Sequence, residues 1–126
     1  MPVSHALATT DDLIQIIKKS FFFKNRRSLY MKTCSQVFQA LRIEVNQEFD
    51  HLSSFLNQVL DFLAPKGRIA IISFHSSEDR LVKHFIKGHK SLIKPCYKGV
   101  LTASQTEIKE NSRSKSAKLR VFEKCD

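Results

Sequence analysis

The chain has 126 residues, 42% of them hydrophobic and 26% charged, which suits one globular domain or part of a larger one. No stretch approaches the roughly 20 apolar residues of a membrane span, and no basic patch followed by a continuous apolar run marks a signal peptide. Lysine and arginine total 21 against 12 acids, a net charge of +9, which favours a polyanionic partner such as nucleic acid; a merely soluble basic surface accounts for the charge equally well.

In chain order, residues 10–20 read as a short helix. Thr10 is placed to cap it, Asp11 and Asp12 suit the positive end of its dipole, Lys18 and Lys19 suit the other end, and Leu13, Ile14, Ile16 and Ile17 form its apolar face. Phe21-Phe22-Phe23 and Lys24-Asn25-Arg26-Arg27 follow. Aromatics beside cations can bind RNA by stacking and charge, but the simpler reading is preferred: a helix end docked on a core, then a solvated basic loop.

Residues 35–63 carry the strongest periodicity. Phe38, Leu41, Val45, Phe49, Leu52, Phe55, Leu56, Val59, Leu60 and Leu63 recur at spacings of three and four, the pattern of one amphipathic helix or of two with a break near Asp50. Pro65-Lys66-Gly67 ends it. Arg68-Ile69-Ala70-Ile71-Ile72 is then a short, nearly continuous apolar run, as in a strand buried on both faces of a parallel sheet. After it, Ser76 is placed to cap a helix with Asp79 completing a capping box, Leu81, Val82, Phe85 and Ile86 form the buried stripe, and Gly88 ends the helix. Helix, strand, helix of this kind is one piece of a doubly wound α/β sheet.

In the tail, residues 91–102 suit a strand interrupted by Pro95 and Gly99, and residues 104–114 suit a polar loop. Residues 116–122 alternate, with Ala117, Leu119 and Val121 on one face and Lys118 and Arg120 on the other, as in a half-buried antiparallel strand near a sheet edge. Cys34, Cys96 and Cys125 lie far apart and form no CxxC pair, so no zinc or redox motif is expected, and a reduced, cytoplasmic setting is the simple reading.

Ligands of an open α/β sheet bind beyond the carboxyl ends of its strands. The loop Ser73-Phe74-His75-Ser76-Ser77-Glu78-Asp79-Arg80 sits at such an end, and the helix amino terminus there offers N–H groups to an anion such as an RNA phosphate. The structural alternative is strong: Ser76 caps, Glu78 and Asp79 favour the dipole, and Arg80 pairs with an acid. A hydrolase reading of His75, Ser76 and Asp79 is weak, because no glycine flanks Ser76 to make a nucleophile turn. His75 as a metal ligand is weaker still, for want of a second ligand at a suitable spacing, so no metal is expected. Downstream, Arg113, Lys115, Lys118 and Arg120 lie among small serines that let phosphates approach, which suits phosphate positioning rather than base reading. An ordinary solvated strand face fits them as well.

Phe38-Gln39-Ala40-Leu41-Arg42-Ile43 with Val45-Asn46, then Leu63-Ala64-Pro65-Lys66-Gly67-Arg68 leading into Ile72-Ser73-Phe74-His75-Ser76-Ser77-Glu78-Asp79-Arg80-Leu81-Val82-Lys83, then Ser116-Ala117-Lys118-Leu119-Arg120-Val121 with Glu123-Lys124, resemble in this order the motifs of the ribosomal RNA small subunit methyltransferase H family. The resemblance runs from about Thr9 to Lys124. It implies transfer of a methyl group from S-adenosylmethionine to the exocyclic N4 of a cytosine in small-subunit (16S) ribosomal RNA, with that RNA or the 30S particle as partner and no membrane. The implied fold is α/β: the later half of a class I Rossmann-like methyltransferase sheet, with the end of a helical insertion over residues 1–42 and the carboxy-terminal half of the methyltransferase domain, closing in a β-hairpin, over residues 43–126. On this mapping His75, Ser76 and Arg80 lie near the target nucleotide, Arg113, Lys115, Lys118 and Arg120 contact RNA phosphates, and Gln39 and Arg42 orient the insertion.

The sequence departs from the family pattern at Lys32-Thr33-Cys34-Ser35-Gln36, where His-Pro-Ala-Thr-Arg is usual, at Ser77, where leucine is usual, and at Asn111-Ser112-Arg113-Ser114-Lys115, where Asn-Pro-Arg-Ala-Arg is usual. A class I methyltransferase also holds its cofactor on a glycine-rich turn after the first strand, and the glycines here, Gly67, Gly88 and Gly99, are scattered. The cofactor ligands are therefore expected upstream of this chain. The whole is expected to be part of a longer enzyme and inactive alone, with a non-catalytic remnant or small RNA-binding module as the alternative.

Overall fold

The computed structural model describes residues 7–126, so the first six residues of the expected insertion segment, and the amino-terminal residues read for a signal peptide, lie outside the described residues. The chain divides into two compact units between Glu48 and Phe49. The described cysteines are free, and no helix is long and apolar enough to cross a membrane among the described residues.

The first unit is helical. α1 spans Thr10–Ser20 and α2 spans Arg27–Asn46. Thr9, not Thr10, caps α1: its hydroxyl accepts from the Asp12 amide while the Asp12 carboxylate accepts from the Thr9 amide, a reciprocal box that needs the acid three residues after the cap. Lys24 and Asn25 turn the chain with positive φ, and α2 begins at once, so the basic segment is the entry to a helix rather than a long loop. The cap residue of α2, Arg26, makes no side-chain capping bond, and no acid stands in the first turn. Gln47, in the left-handed conformation, ends α2, three residues before the expected break near Asp50. Arg42 forks onto the Glu48 carboxylate at 3.0 and 3.3 Å across that break.

The second unit is a four-stranded antiparallel sheet with helices. α3 (Glu48–Phe62), β1 (Arg68–Ser73), α4 (Ser76–Gly88), β2 (Ile93–Pro95), β3 (Leu101–Thr102), α5 (Gln105–Glu110), a 3₁₀ turn at Ser112–Ser116 and β4 (Lys118–Lys124) follow in order. β4 is the centre: β1, β2 and β3 each pair with it antiparallel. This corrects the expected edge position of β4. The antiparallel closing strands agree with the expectation, although α5 and the 3₁₀ turn replace the polar loop between β3 and β4.

The core is Leu56 of α3, Phe85 of α4, Ile93 of β2 and Phe122 of β4, with Leu52, Val59, Leu60, Ile69, Ile71 and Ile86 packed around it. Burying each such side chain contributes roughly 1.5–3 kcal/mol. Two expectations of facing are inverted. β1 alternates instead of being buried on both sides, and its Ile72 is 59% exposed. On β4, Phe122 is fully buried, and by strand alternation Lys118, Arg120 and Lys124 share its side. The cationic face therefore looks at the helices. This is tolerable because Arg120 meets Asp79 of α4, and the Lys124 ammonium donates to the Leu60 and Leu63 carbonyls at 2.7 and 2.9 Å.

Candidate functional site

The register of β1 on β4 sets Ser73 opposite Lys118. The end of β1 and the start of β4 therefore lie side by side at one end of the sheet, where β1 leads into α4 and the 3₁₀ turn leads into β4. That pairing brings together residues far apart in sequence.

His75 is the N-cap of α4, in place of Ser76: its Nδ1 accepts from the Glu78 amide at 3.4 Å, and Glu78 Oε2 accepts from the Phe74 amide at 3.3 Å. Accepting at Nδ1 leaves the neutral ring's hydrogen on Nε2. That nitrogen is buried and makes no hydrogen bond; Glu78 Oε1 lies 3.2 Å away, but off the line of one. The Phe49 ring stands against the imidazole, 5.8 Å between centroids. Ser76 and Arg80 are exposed.

Asp79 does not complete a capping box, because Arg120 takes it. The guanidinium donates through Nε at 2.7 Å and through a terminal nitrogen at 3.0 Å, and both side chains are nearly buried, at 10% and 14% exposure. The bidentate contact holds the Asp79 carboxyl below its ordinary range, against the opposing effect of burial, and raises Arg120. Arg120 thus fixes the first turn of α4 to the central strand, and its fork faces a carboxylate rather than open solvent. Arg113 and Lys115 on the 3₁₀ turn are exposed, and Lys118 is half-buried. Asn111 and Ser114 shape that turn: Asn111 Oδ1 accepts from the Arg113 amide, and the Ser114 hydroxyl donates to the Asn111 carbonyl at 2.7 Å.

Sequence reasoning misses the Asp79–Arg120 pair and Phe49. Both partners of the pair stand in the recognised motifs, yet only the strand register shows that they meet.

The model of the MraW methylase family matches residues 3–125. The chain belongs to the MraW methylase family. It is similar to proteins named ribosomal RNA small subunit methyltransferase H: 44% identical over 121 residues to that of Thermosipho africanus (96% of this chain, 41% of the relative), 42% over 131 residues to that of Flavobacterium johnsoniae (94% and 42%) and 46% over 119 residues to that of Acaryochloris marina (94% and 39%). The chain spans about two fifths of the length of the curated relatives it matches.

A methylase of this family requires a methyl donor. The three glycines here do not make a cradle for S-adenosylmethionine. Gly67 precedes β1 and is packed, since a Cβ there would stand 2.6 Å from Leu63 Cδ1 and 2.8 Å from the Ala64 carbonyl oxygen. Gly88 ends α4, and Gly99 lies between β2 and β3. None follows a strand in the strand–turn–helix setting that brings backbone close to a nucleotide.

Proposed function

We propose that this chain is the RNA-facing and structural part of an enzyme that transfers the methyl group of S-adenosylmethionine to N4 of a cytosine in 16S ribosomal RNA, in the cytoplasm. The observation that carries this reading is the register that sets Ser73, which leads into the His75–Arg80 loop, opposite Lys118 of β4, with exposed Arg113 and Lys115 on the turn just before that strand. His75 acts through the loop it caps, its Nε2 buried beside the Glu78 carboxylate at 3.2 Å rather than open to a base. Ser76 and Arg80 frame the same loop. Arg113, Lys115 and Lys118 hold phosphates and fix the strand's register without reading bases. Arg120 orders the site by clamping α4. These are positioning tasks; the cofactor belongs to the part of the relatives that this chain does not span, and the chain alone transfers no methyl group.

Two measurements test this. Calorimetry with S-adenosylmethionine is expected to show no binding, and micromolar binding by this chain would falsify the assignment of the cofactor site elsewhere. A gel-shift titration with a single-stranded 16S fragment is expected to show affinity that falls with salt. Arg113→Gln, Lys115→Gln and Lys118→Gln together are expected to reduce the slope of log K against log salt by up to about 2, at roughly 0.7 for each phosphate no longer neutralised. An unchanged slope removes these cations from the interface. The second reading, a non-catalytic RNA-binding module, is favoured by the unsuitable glycines; it predicts the same RNA binding but no methyl transfer in any company.

A further inference from the structure

We infer that the first unit carries a separate stacking pocket for one unpaired nucleotide of RNA, built from Lys18, Phe23, Asn25, Arg26, Arg27 and Tyr30. These residues line an open cavity of about 440 Å³, within the ~300–1,000 Å³ range of ligand pockets. The pocket presupposes that the chain handles RNA, as proposed above, and adds a site remote in sequence from the His75 loop.

Aromatic rings form one side of it. Phe23 meets Tyr30 edge to face at 5.3 Å, and the Lys18 ammonium lies 5.6 Å from the Tyr30 ring centre. Both rings are only half-buried, and Phe21 and Phe22 beside them are 52% and 87% exposed, so the Phe21–Phe23 run is not docked on a core, contrary to the simpler expectation from sequence. Exposed aromatic rings flanked by cations are what a base needs above it and a phosphate needs beside it.

Charge points the same way. From residue 13 to residue 43 the sequence has no aspartate or glutamate, but it has Lys18, Lys19, Lys24, Arg26, Arg27, Lys32 and Arg42. Within the first unit only Arg42 is in an ion pair among the described residues, so the three lining cations face no internal counter-charge. Asn25 alone brings a side-chain amide to the lining, so recognition of base edges is slight and the pocket tolerates many sequences. Its open side suits a nucleotide within a continuing strand rather than an enclosed small molecule.

Tyr30 supplies its own reporter. The chain has two tyrosines and no tryptophan, so in Tyr97→Phe the only remaining tyrosine is Tyr30. A single-stranded oligoribonucleotide of about ten nucleotides, within the usual span of stacking grooves, is expected to quench its fluorescence over the same concentrations that shift the band in a gel. Inorganic polyphosphate is expected to bind by charge without quenching. Tyr30→Leu should weaken oligonucleotide binding roughly 5- to 150-fold at fixed salt, the loss of about one stacked base, with the salt slope unchanged. Arg26→Gln with Arg27→Gln, both exposed and safe for folding, should instead lower the salt slope. Oligonucleotide binding without quenching, or equal quenching by polyphosphate, overturns the pocket and leaves the RNA reading standing. No oligonucleotide binding at low salt overturns both.

Discussion

Asp79 and Arg120 couple the site to its scaffold through two hydrogen bonds between nearly buried charges. Removing one partner leaves the other buried without a counter-charge, which costs about 3–5 kcal/mol in a dry interior. Some of each side chain still reaches water here, so Asp79→Ala is expected to cost roughly 2–4 kcal/mol in urea unfolding at neutral pH. The carboxyl is held below its ordinary value of 3.8, chiefly by the hydrogen bonds from Arg120. Its contribution is therefore complete above that value and disappears as pH falls below it and protonates the folded state. Glu123, bridged by Arg68 at 2.8 Å and Lys94 at 3.1 Å, is depressed likewise and adds to the same acid limb. Stability is thus expected to fall steeply on acidification below about pH 4, and Asp79→Asn should flatten part of that fall. An acid limb of the same depth in Asp79→Asn would show that the pair does not act this way.

Lys124 plays a comparable part among elements. α3 has no basic residue in its last turn, where carbonyls lack partners and the dipole is negative. The ammonium that meets them comes from β4, more than sixty residues later, and ties the helix end to the sheet at Leu60 and Leu63. Lys124→Met keeps the apolar stem and removes these bonds, with an expected loss of roughly 1–3 kcal/mol. Hydrogen exchange should also quicken selectively in the last turn of α3; uniform quickening across the unit would argue against a capping role. Such long-range contacts explain what is legible in the sequence and what is not. The existence of α1, α3, β1, α4 and β4 follows from local periodicity. So do Val82 and Phe85 as buried positions of α4. The facing of β4 does not: alternation puts Leu119 and Val121 opposite Lys118 and Arg120, and the apolar side is the natural choice for burial. Asp79 and the α3 carbonyls reverse it by satisfying the cations, and neither is near in sequence. Both misassigned caps have a related cause. Thr9 and His75 each precede a plausible capping residue, and the acid three positions after the true cap decides the start.

For the molecule as a whole, the strand order leaves β1 at the rim, paired only with β4 among the described residues. Ile72 and Phe74 at its end are 59% and 55% exposed, and Phe62 just before it is 85% exposed. An apolar strand with a free edge is a template for another strand. The relatives have more chain outside the matched part than within it, since this chain covers only 41% of the protein from Thermosipho africanus. If the rest of such a relative adds its sheet along β1, the His75 loop and the proposed RNA-facing cations Arg113, Lys115 and Lys118 face a cofactor carried by the added part. Mixing this chain with the uncovered portion of that relative is expected to give transfer of labelled methyl groups from S-adenosylmethionine to small-subunit RNA, with neither part active alone. A proline at Ala70, whose side chain is exposed on β1, removes a backbone donor from the strand and should lower the assembled activity more than Phe62→Ser, which only exchanges an exposed ring for a hydroxyl near the edge. Transfer by this chain alone, or a mixture that binds RNA and S-adenosylmethionine yet transfers nothing, would leave the β1 edge without this role.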